Sequence, residues 1–132
     1  MRNVERFRDR YAVSGDPALL AAEFDALGTD YSANGYTTPL QAEEIGDWLA
    51  LGEEDLLLDV GAGCGWPGLY LAKRHGCAVI SLEPVPEGMP ALRARASVDG
   101  CGEQAWPVVA DAVAIPLRPK SVDAIVHADV LC

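Results

Sequence analysis

The sequence predicts an α/β fold in which a parallel β-sheet is covered by helices on both faces. Four short apolar runs, each typical of a buried strand, alternate with segments of helical spacing. Residues 57–68 pass from one such run through a glycine-rich loop into a helix. This order is typical of a nucleotide pocket, because glycines let the backbone approach a ligand and a helix start offers unpaired N–H groups.

Asp16-Pro17 predicts the start of a helix, and Gly28 predicts its end. Residues 1–37 are expected to form a helical cap, and residues 38–132 the main domain. Thr38 and Gln41 have capping-box spacing and begin the next helix. Strands are then predicted at 56–60, 78–82, 106–110 and 121–127, with helices at 67–75 and 86–98. We expect Trp66 to pack the glycine-rich loop against the cap. We expect Trp48 and Trp106 to lie in the core.

Composition narrows the function classes. The 132 residues carry 10 Lys and Arg against 20 Asp and Glu, a net charge of −10 without a basic patch, which disfavours nucleic acid as a partner. The N-terminus has no signal-peptide pattern, and no run approaches the ~20 apolar residues of a membrane span. A soluble, cytoplasmic protein with no membrane partner is therefore expected.

The cysteines predict no metal site. Cys64, Cys77, Cys101 and Cys132 show neither C-x-x-C spacing nor a companion histidine pair. We expect free thiols in a reduced cytosol.

Three acidic residues stand where predicted strands end: Asp59, Glu83 and Asp111. Ligands of an open α/β sheet bind beyond the carboxyl ends of the strands, so these acids are expected to line one crevice. Glu83 follows the loop at about the spacing at which an acid accepts the hydroxyls of a ribose. A solvated turn residue is the alternative role.

The loop also satisfies G-x-G-x-x-G at Gly63, Gly65 and Gly68, which by itself suggests a nicotinamide or flavin dinucleotide. Asp59, however, precedes the turn and is expected to lie inside the pocket. A carboxylate there repels a pyrophosphate and suits a ligand with an ammonium group. S-adenosylmethionine carries an adenosine, an ammonium and a sulfonium but no phosphate, and is the favoured cofactor.

The segment from Asp59, Asp-Val-Gly-Ala-Gly-Cys-Gly, resembles the first motif of class I S-adenosylmethionine-dependent methyltransferases. Glu83 matches the acid after their second strand, and the segments beginning at Asp111 and Ser121 resemble their later motif, so the resemblance covers roughly residues 38–132. It implies a Rossmann-like fold in which Glu83 holds the ribose. It further implies that the backbone of Gly61, Ala62 and Gly63 lies against the methionine portion, and that Asp111 with the Ala112 amide holds the adenine edge.

The resemblance leaves the catalytic residues unknown. His127 follows the fourth predicted strand, where many members place a residue facing the methyl group, and a histidine there suits a general base. A structural role at the strand end is equally open. The segment from Tyr36 to Gln41 resembles caps that close over the cofactor in small-molecule members, although Gln41 is favoured as a capping-box residue.

Family members continue through three more strands, so the sequence resembles a C-terminally truncated member with an exposed sheet edge. Such an edge is suited to homodimer formation. The favoured function is an S-adenosylmethionine-dependent methyltransferase acting on a small molecule. The alternatives are a catalytically inactive binding or interaction module and a nicotinamide or flavin oxidoreductase.

Overall fold

The computed structural model describes residues 2–130 and contains five α-helices and four strands within them. The first three helices precede the sheet: α1 (Arg2–Ala12), α2 (Pro17–Leu27) and α3 (Pro39–Trp48). Strands and helices then alternate as β1 (Leu56–Val60), α4 (Gly68–His75), β2 (Ala78–Glu83), α5 (Met89–Val98), β3 (Ala105–Val109) and β4 (Ala124–Val126). Short 3-10 turns cover Pro86–Gly88, Gly102–Gln104 and Ala112–Ala114.

The four strands form one parallel sheet in the order β3-β2-β1-β4, which confirms the predicted α/β class. At its centre Leu58 of β1 pairs with Ile80 of β2 on one side and with Ile125 of β4 on the other. All four carboxyl ends therefore meet at one edge of the sheet. The loops that follow them, including the glycine-rich loop after β1, lie along that edge.

The main core lies between one face of this sheet and the helices α3, α4 and α5. Its fully buried side chains include Leu57 and Val79 from the strands and Leu71 and Leu92 from the helices. Successive strand residues point to opposite faces, so Leu58 and Ile80 belong to the other face. That face packs against Leu117 and Val122 of the connection between β3 and β4. These contacts place both faces of the sheet in apolar surroundings.

The prediction of helices on both faces needs correction, since α3, α4 and α5 all pack on one face within residues 2–130. Right-handed crossovers from β1 to β2 and from β2 to β3 run in one direction across the sheet, so their helices share a face. The return from β3 to β4 runs the other way and covers the opposite face. Pro116 and Pro119 interrupt that connection, and it contains no α-helix.

Two tryptophans that the sequence analysis places in the core are exposed. Trp48 ends α3 with 80% of its surface accessible, because α3 turns Ala42 and Gly46 toward the core. Trp106 is 48% exposed, since Ala105 occupies the inward position next to it on the edge strand β3. The core prediction was wrong for both.

The segment before α3 contacts the domain through aromatic side chains. Trp66 lies against Tyr31, with ring centroids 5.1 Å apart, and its indole N–H donates to the Thr37 carbonyl over 2.9 Å. The Tyr31 hydroxyl donates to the Asp99 carboxylate, and the Arg95 guanidinium stacks 3.8 Å from the centre of the Tyr31 ring. The predicted packing of Trp66 against the cap is confirmed.

Cys64, Cys77 and Cys101 are buried free thiols, while Cys132 lies outside the described residues. None of the helices in residues 2–130 is long and apolar enough to cross a membrane. Within the same residues, no group of three or more His, Cys, Asp or Glu side chains is arranged to hold a metal ion.

Candidate functional site

The glycine-rich loop after β1 folds back onto the end of β2. The N–H groups of Gly61 and Ala62 both donate to the Leu82 carbonyl, over 2.8 and 3.1 Å. Gly61, Gly63 and Gly65 have φ angles of +73°, +55° and +112°, which L-residues with a side chain rarely adopt. Glycine at these three positions thus allows the loop to form a tight turn at the edge where the strands end.

Glycine at position 65 is also required by packing. A Cβ atom there would lie 2.4 Å from Leu69 Cδ1 and 2.8 Å from its Cγ, inside van der Waals contact. Leu69 is fully buried in the first turn of α4, so it has little room to retreat. The close contact between Gly65 and Leu69 therefore fixes the loop against the first turn of α4.

Glu83 at the end of β2 joins this loop to the segment that follows the strand. Its Oε2 accepts the Gly63 N–H over 2.8 Å, and its Oε1 accepts the Val85 N–H over 3.0 Å. The residue is only 4% exposed. Burial raises the pKa of Glu83 above its ordinary value, while the bonds from Gly63, Val85 and the Tyr11 hydroxyl oppose that rise. The carboxylate is thereby held in a fixed orientation.

Asp59 lies in a different place from the one its sequence position suggests. It shares the face of β1 that α4 covers, and it is 1% exposed. Its Oδ2 accepts the Gly68 N–H over 2.9 Å at the first residue of α4, where the positive end of the helix dipole favours a carboxylate. The sequence predicts Asp59 inside the ligand pocket, whereas in the structure its carboxylate is buried beneath the start of α4 and binds the Gly68 N–H.

Helix α1 covers the outer side of the loop, a feature that sequence reasoning missed. Tyr11 is buried, and its hydroxyl lies 3.1 Å from the position that a Cβ on Gly63 would take. The same hydroxyl is hydrogen-bonded to Glu83. Arg8 Nε lies 2.7 Å from Glu87 Oε1 and adds an ion pair between α1 and the turn after β2. The only sequence signal was the helical spacing of Phe7 and Tyr11 in a charged segment.

Asp111 and Ala112 lie beyond the end of β3, next to the strand that carries Glu83. The Ala110 N–H donates to the Glu83 carbonyl over 3.2 Å, which fixes the start of this segment. The Asp111 side chain accepts the Val113 N–H over 3.0 Å, and both Asp111 and Ala112 are exposed. The structure thus brings these two residues to the same edge as the glycine-rich loop and Glu83.

After β4, His127 is exposed and Asp129 binds the segment before α3. Asp129 Oδ2 accepts the N–H groups of Tyr36 and Thr37 and the Thr37 hydroxyl, over 2.9 to 3.1 Å. Next to it, Val130 Cγ2 lies 2.6 Å from the position of a Cβ on Gly61. The end of β4 is therefore in contact with both the loop and the cap.

Gln41 has the capping role that its spacing predicts. Its Oε1 accepts the Thr38 N–H over 2.9 Å, and its own N–H donates to the Thr38 hydroxyl over 3.3 Å. Both halves of the capping box are present at the start of α3. The side chain is thereby fixed at the surface.

The family model described as "Methyltransferase domain" matches residues 58–132, which is more than half of the chain. The matched segment begins inside β1 and includes the glycine-rich loop and all three acids at the strand ends. No curated protein sequence matches the chain.

Solved structures share the fold. A SAM-dependent methyltransferase from Geobacter sulfurreducens, in complex with S-adenosyl-L-homocysteine, has a TM-score of 0.64 at 18% identity over 84% of this chain and 43% of its own. A geranyl diphosphate methyltransferase in complex with GPP and sinefungin has a TM-score of 0.61 at 26% identity, over 67% and 33%. An RNA methyltransferase from Salinibacter ruber, in complex with S-adenosyl-L-homocysteine, has a TM-score of 0.57 at 22% identity, over 60% and 52%. The chain spans about a third to a half of the length of these proteins.

The buried Asp59 carboxylate makes the stability of the fold depend on pH. Burial raises its pKa from 3.8 to about 7, against the opposing effect of the Gly68 N–H. Between about pH 4 and 7 the folded chain therefore holds a proton that the unfolded chain has lost, so Asp59 lowers the free energy of unfolding as pH rises through this window. We expect Asp59→Asn to remove a slope of up to ~1.4 kcal/mol per pH unit, measured by urea unfolding from pH 4 to 8.

The matched control is Asp47→Asn, at an exposed position of α3. It should keep the pH dependence of the unaltered chain. An Asp59→Asn chain that folds and retains the original slope would show that the Asp59 carboxylate titrates normally.

Proposed function

Because this chain belongs to the methyltransferase domain family, we propose that it forms the S-adenosylmethionine-binding part of a methyltransferase. The observation that carries the proposal is the arrangement of Glu83 beside the glycine-rich loop at the carboxyl edge of the sheet. It is supported by the family match over residues 58–132 and by two similar structures that are complexes with S-adenosyl-L-homocysteine.

The residues present fit such a cofactor. Each oxygen of the Glu83 carboxylate accepts one backbone N–H, and a carboxylate oxygen has room for a second donor such as a ribose hydroxyl. The loop brings the backbone of Gly61, Ala62 and Gly63 to this edge, and the two glycines carry no side chain of their own. A ligand in contact with Glu83 also requires Tyr11 to change position, because its hydroxyl occupies the space above Gly63.

In this proposal each element of the edge has one task. The backbone of Gly61, Ala62 and Gly63 receives the methionine portion, Glu83 accepts the ribose hydroxyls, and Asp111 with the Ala112 amide holds the adenine edge. Asp59 has a structural role, because its bond from the Gly68 N–H holds the start of α4 in position. When bound, the cofactor supplies a methyl group activated by its sulfonium, and the protein contributes mainly by positioning donor and acceptor.

We propose a small molecule as the methyl acceptor. One similar structure is a geranyl diphosphate methyltransferase, whereas another is an RNA methyltransferase. The net charge of −10 favours the small molecule, because a polyanion would be repelled. His127, exposed after β4, is kept as the candidate general base.

We further propose how the chain is organised. Residues 1–37 act as a cap on a cofactor domain of residues 38–132, and the protein is cytoplasmic. The sheet edge formed by β4 is a surface for homodimer formation, since only β1 pairs with β4 in the described sheet. The alternative is a catalytically inactive binding module. Every feature of residues 2–130 that would fit such a module is also explained by the methyltransferase proposal.

Glu83→Gln should weaken binding of S-adenosyl-L-homocysteine by about 10- to 100-fold, the equivalent of ~1–3 kcal/mol for a hydrogen bond to a charged group. The amide keeps the volume of the side chain but replaces one acceptor oxygen by a donor. Calorimetric titration measures the affinity, and a thermal melt of each chain confirms folding.

Glu103→Gln makes the same chemical change at an exposed position and should leave the affinity unaltered. Equal affinities for the Glu83→Gln chain and the unaltered chain would exclude Glu83 from the cofactor site. Failure of the folded, unaltered chain to bind the ligand at all would count against the proposed function itself.

Tyr11→Phe tests whether the cap competes with the cofactor for Glu83. The variant keeps the aromatic ring that packs on Cys64 and Val85 but removes the hydroxyl that is bonded to Glu83. We expect binding of S-adenosyl-L-homocysteine to become about 2- to 10-fold tighter, since a net hydrogen bond of ~0.5–1.5 kcal/mol no longer has to be broken. Tyr36→Phe, at an exposed tyrosine, should have no effect. Weaker binding by Tyr11→Phe would contradict competition.

A further inference from the structure

A surface cavity lies where α3 meets the segment before it and the segment after β4. It has a volume of about 370 Å³ and is formed between α3 and the segments next to it. We call it the α3 groove and define it by the residues that line it, which are Tyr36, Thr37, Gln41, Glu44, Ile45, Trp48 and Asp129. Its volume is within the usual range of small-ligand sites.

Two aromatic side chains give the α3 groove its surface. Tyr36 is 81% exposed and Trp48 is 80% exposed, so most of both rings is available to a ligand. Large aromatic residues contribute most to stability when they are buried, and neither ring here is used for the core. Both rings line the same cavity, which favours recognition of a ligand through the ring faces.

The charged side chains that the structure describes in the α3 groove are acidic. Glu44 and Asp129 contribute carboxylates, and the described residues of the lining include no lysine, arginine or histidine. The charge of Asp129 is fixed in place by the three hydrogen bonds from Tyr36 and Thr37. An anionic ligand would be repelled there, and a fully apolar ligand would desolvate the Glu44 carboxylate without offering it a hydrogen bond.

The α3 groove adjoins the proposed cofactor edge through two of its residues, Asp129 and Thr37. Asp129 is followed by Val130, which lies against Gly61 of the glycine-rich loop. Thr37 accepts the indole N–H of Trp66, which belongs to the same loop. A ligand in the groove would therefore lie close to the loop without occupying it.

We propose that the α3 groove binds an organic ammonium cation between the Tyr36 and Trp48 rings and the carboxylates of Glu44 and Asp129. Aromatic faces attract such cations through the ring quadrupole, most strongly on tryptophan, and carboxylates add a favourable charge interaction. The identification of this cation as part of the methyl acceptor rests on the proposed function. The binding itself does not.

The test uses tetramethylammonium chloride as the probe and the indole N–H signals of ¹⁵N-labelled chain as the readout. The Trp48 signal should shift progressively with millimolar tetramethylammonium, whereas the Trp106 signal, from an exposed ring on the edge strand β3, should not. Potassium chloride at equal ionic strength and tert-butanol, a neutral molecule of similar shape, serve as ligand controls. Both should leave Trp48 unshifted.

Matched variants test the two parts of the site. Glu44→Gln should weaken tetramethylammonium binding at least 3-fold, and Trp48→Ala should abolish the saturable shifts of the backbone amides of residues 36–48. Glu103→Gln and Trp106→Ala, at exposed positions elsewhere, should change nothing. Equal responses to tert-butanol and tetramethylammonium, or unchanged binding in Glu44→Gln, would overturn the proposal.

S-adenosyl-L-homocysteine binding, measured on the same samples, separates the two proposals. Saturable tetramethylammonium binding without cofactor binding would support the groove and contradict the proposed function. Cofactor binding with no specific response of Trp48 to tetramethylammonium would support the proposed function and contradict the proposal for the α3 groove.

Discussion

The buried carboxylate of Glu83 joins three parts of the molecule that are distant in sequence. It accepts N–H groups from the glycine-rich loop after β1 and from Val85 after β2, and it meets the hydroxyl of Tyr11 from the first helix. A carboxylate at this depth is costly unless its oxygens are bonded, so the loop, the strand end and the cap are held in one arrangement. The same bonds hold Glu83 at the edge where the carboxyl ends of the strands meet.

A second buried acid shares this region. Asp59 and Glu83 lie on neighbouring strands, and the charge of Glu83 contributes to the raised pKa of Asp59. Each is stabilised by a backbone donor: Asp59 by the start of α4 and Glu83 by Gly63 and Val85. The two acids therefore have different structural roles. Asp59 holds the start of α4 in position, and Glu83 holds the glycine-rich loop in position. A ligand at this edge meets backbone whose position both acids determine.

The fold was predictable where the signal is local. Alternation of apolar runs with helical segments predicts the parallel sheet, and the Thr38–Gln41 spacing predicts the start of α3, which the capping box confirms. The orientation of Asp59 was not predictable, because strand periodicity does not say which face the helices cover. The position of Tyr11 was not predictable, because its contacts with Gly63 and Glu83 depend on how the cap folds back over the sheet. Trp48 and Trp106 show the same limit, as hydrophobicity alone does not assign a side chain to the inward face.

The central claim is that the edge formed by the glycine-rich loop, Glu83 and Asp111 is the cofactor site. The most direct measurement is a map of backbone amide shifts in ¹⁵N-labelled chain during titration with S-adenosyl-L-homocysteine. The account predicts saturable shifts at residues 61–65, 83–85 and 110–113, together with residues of α1 next to Tyr11. Saturable shifts confined to other regions, with these amides unchanged, would contradict it.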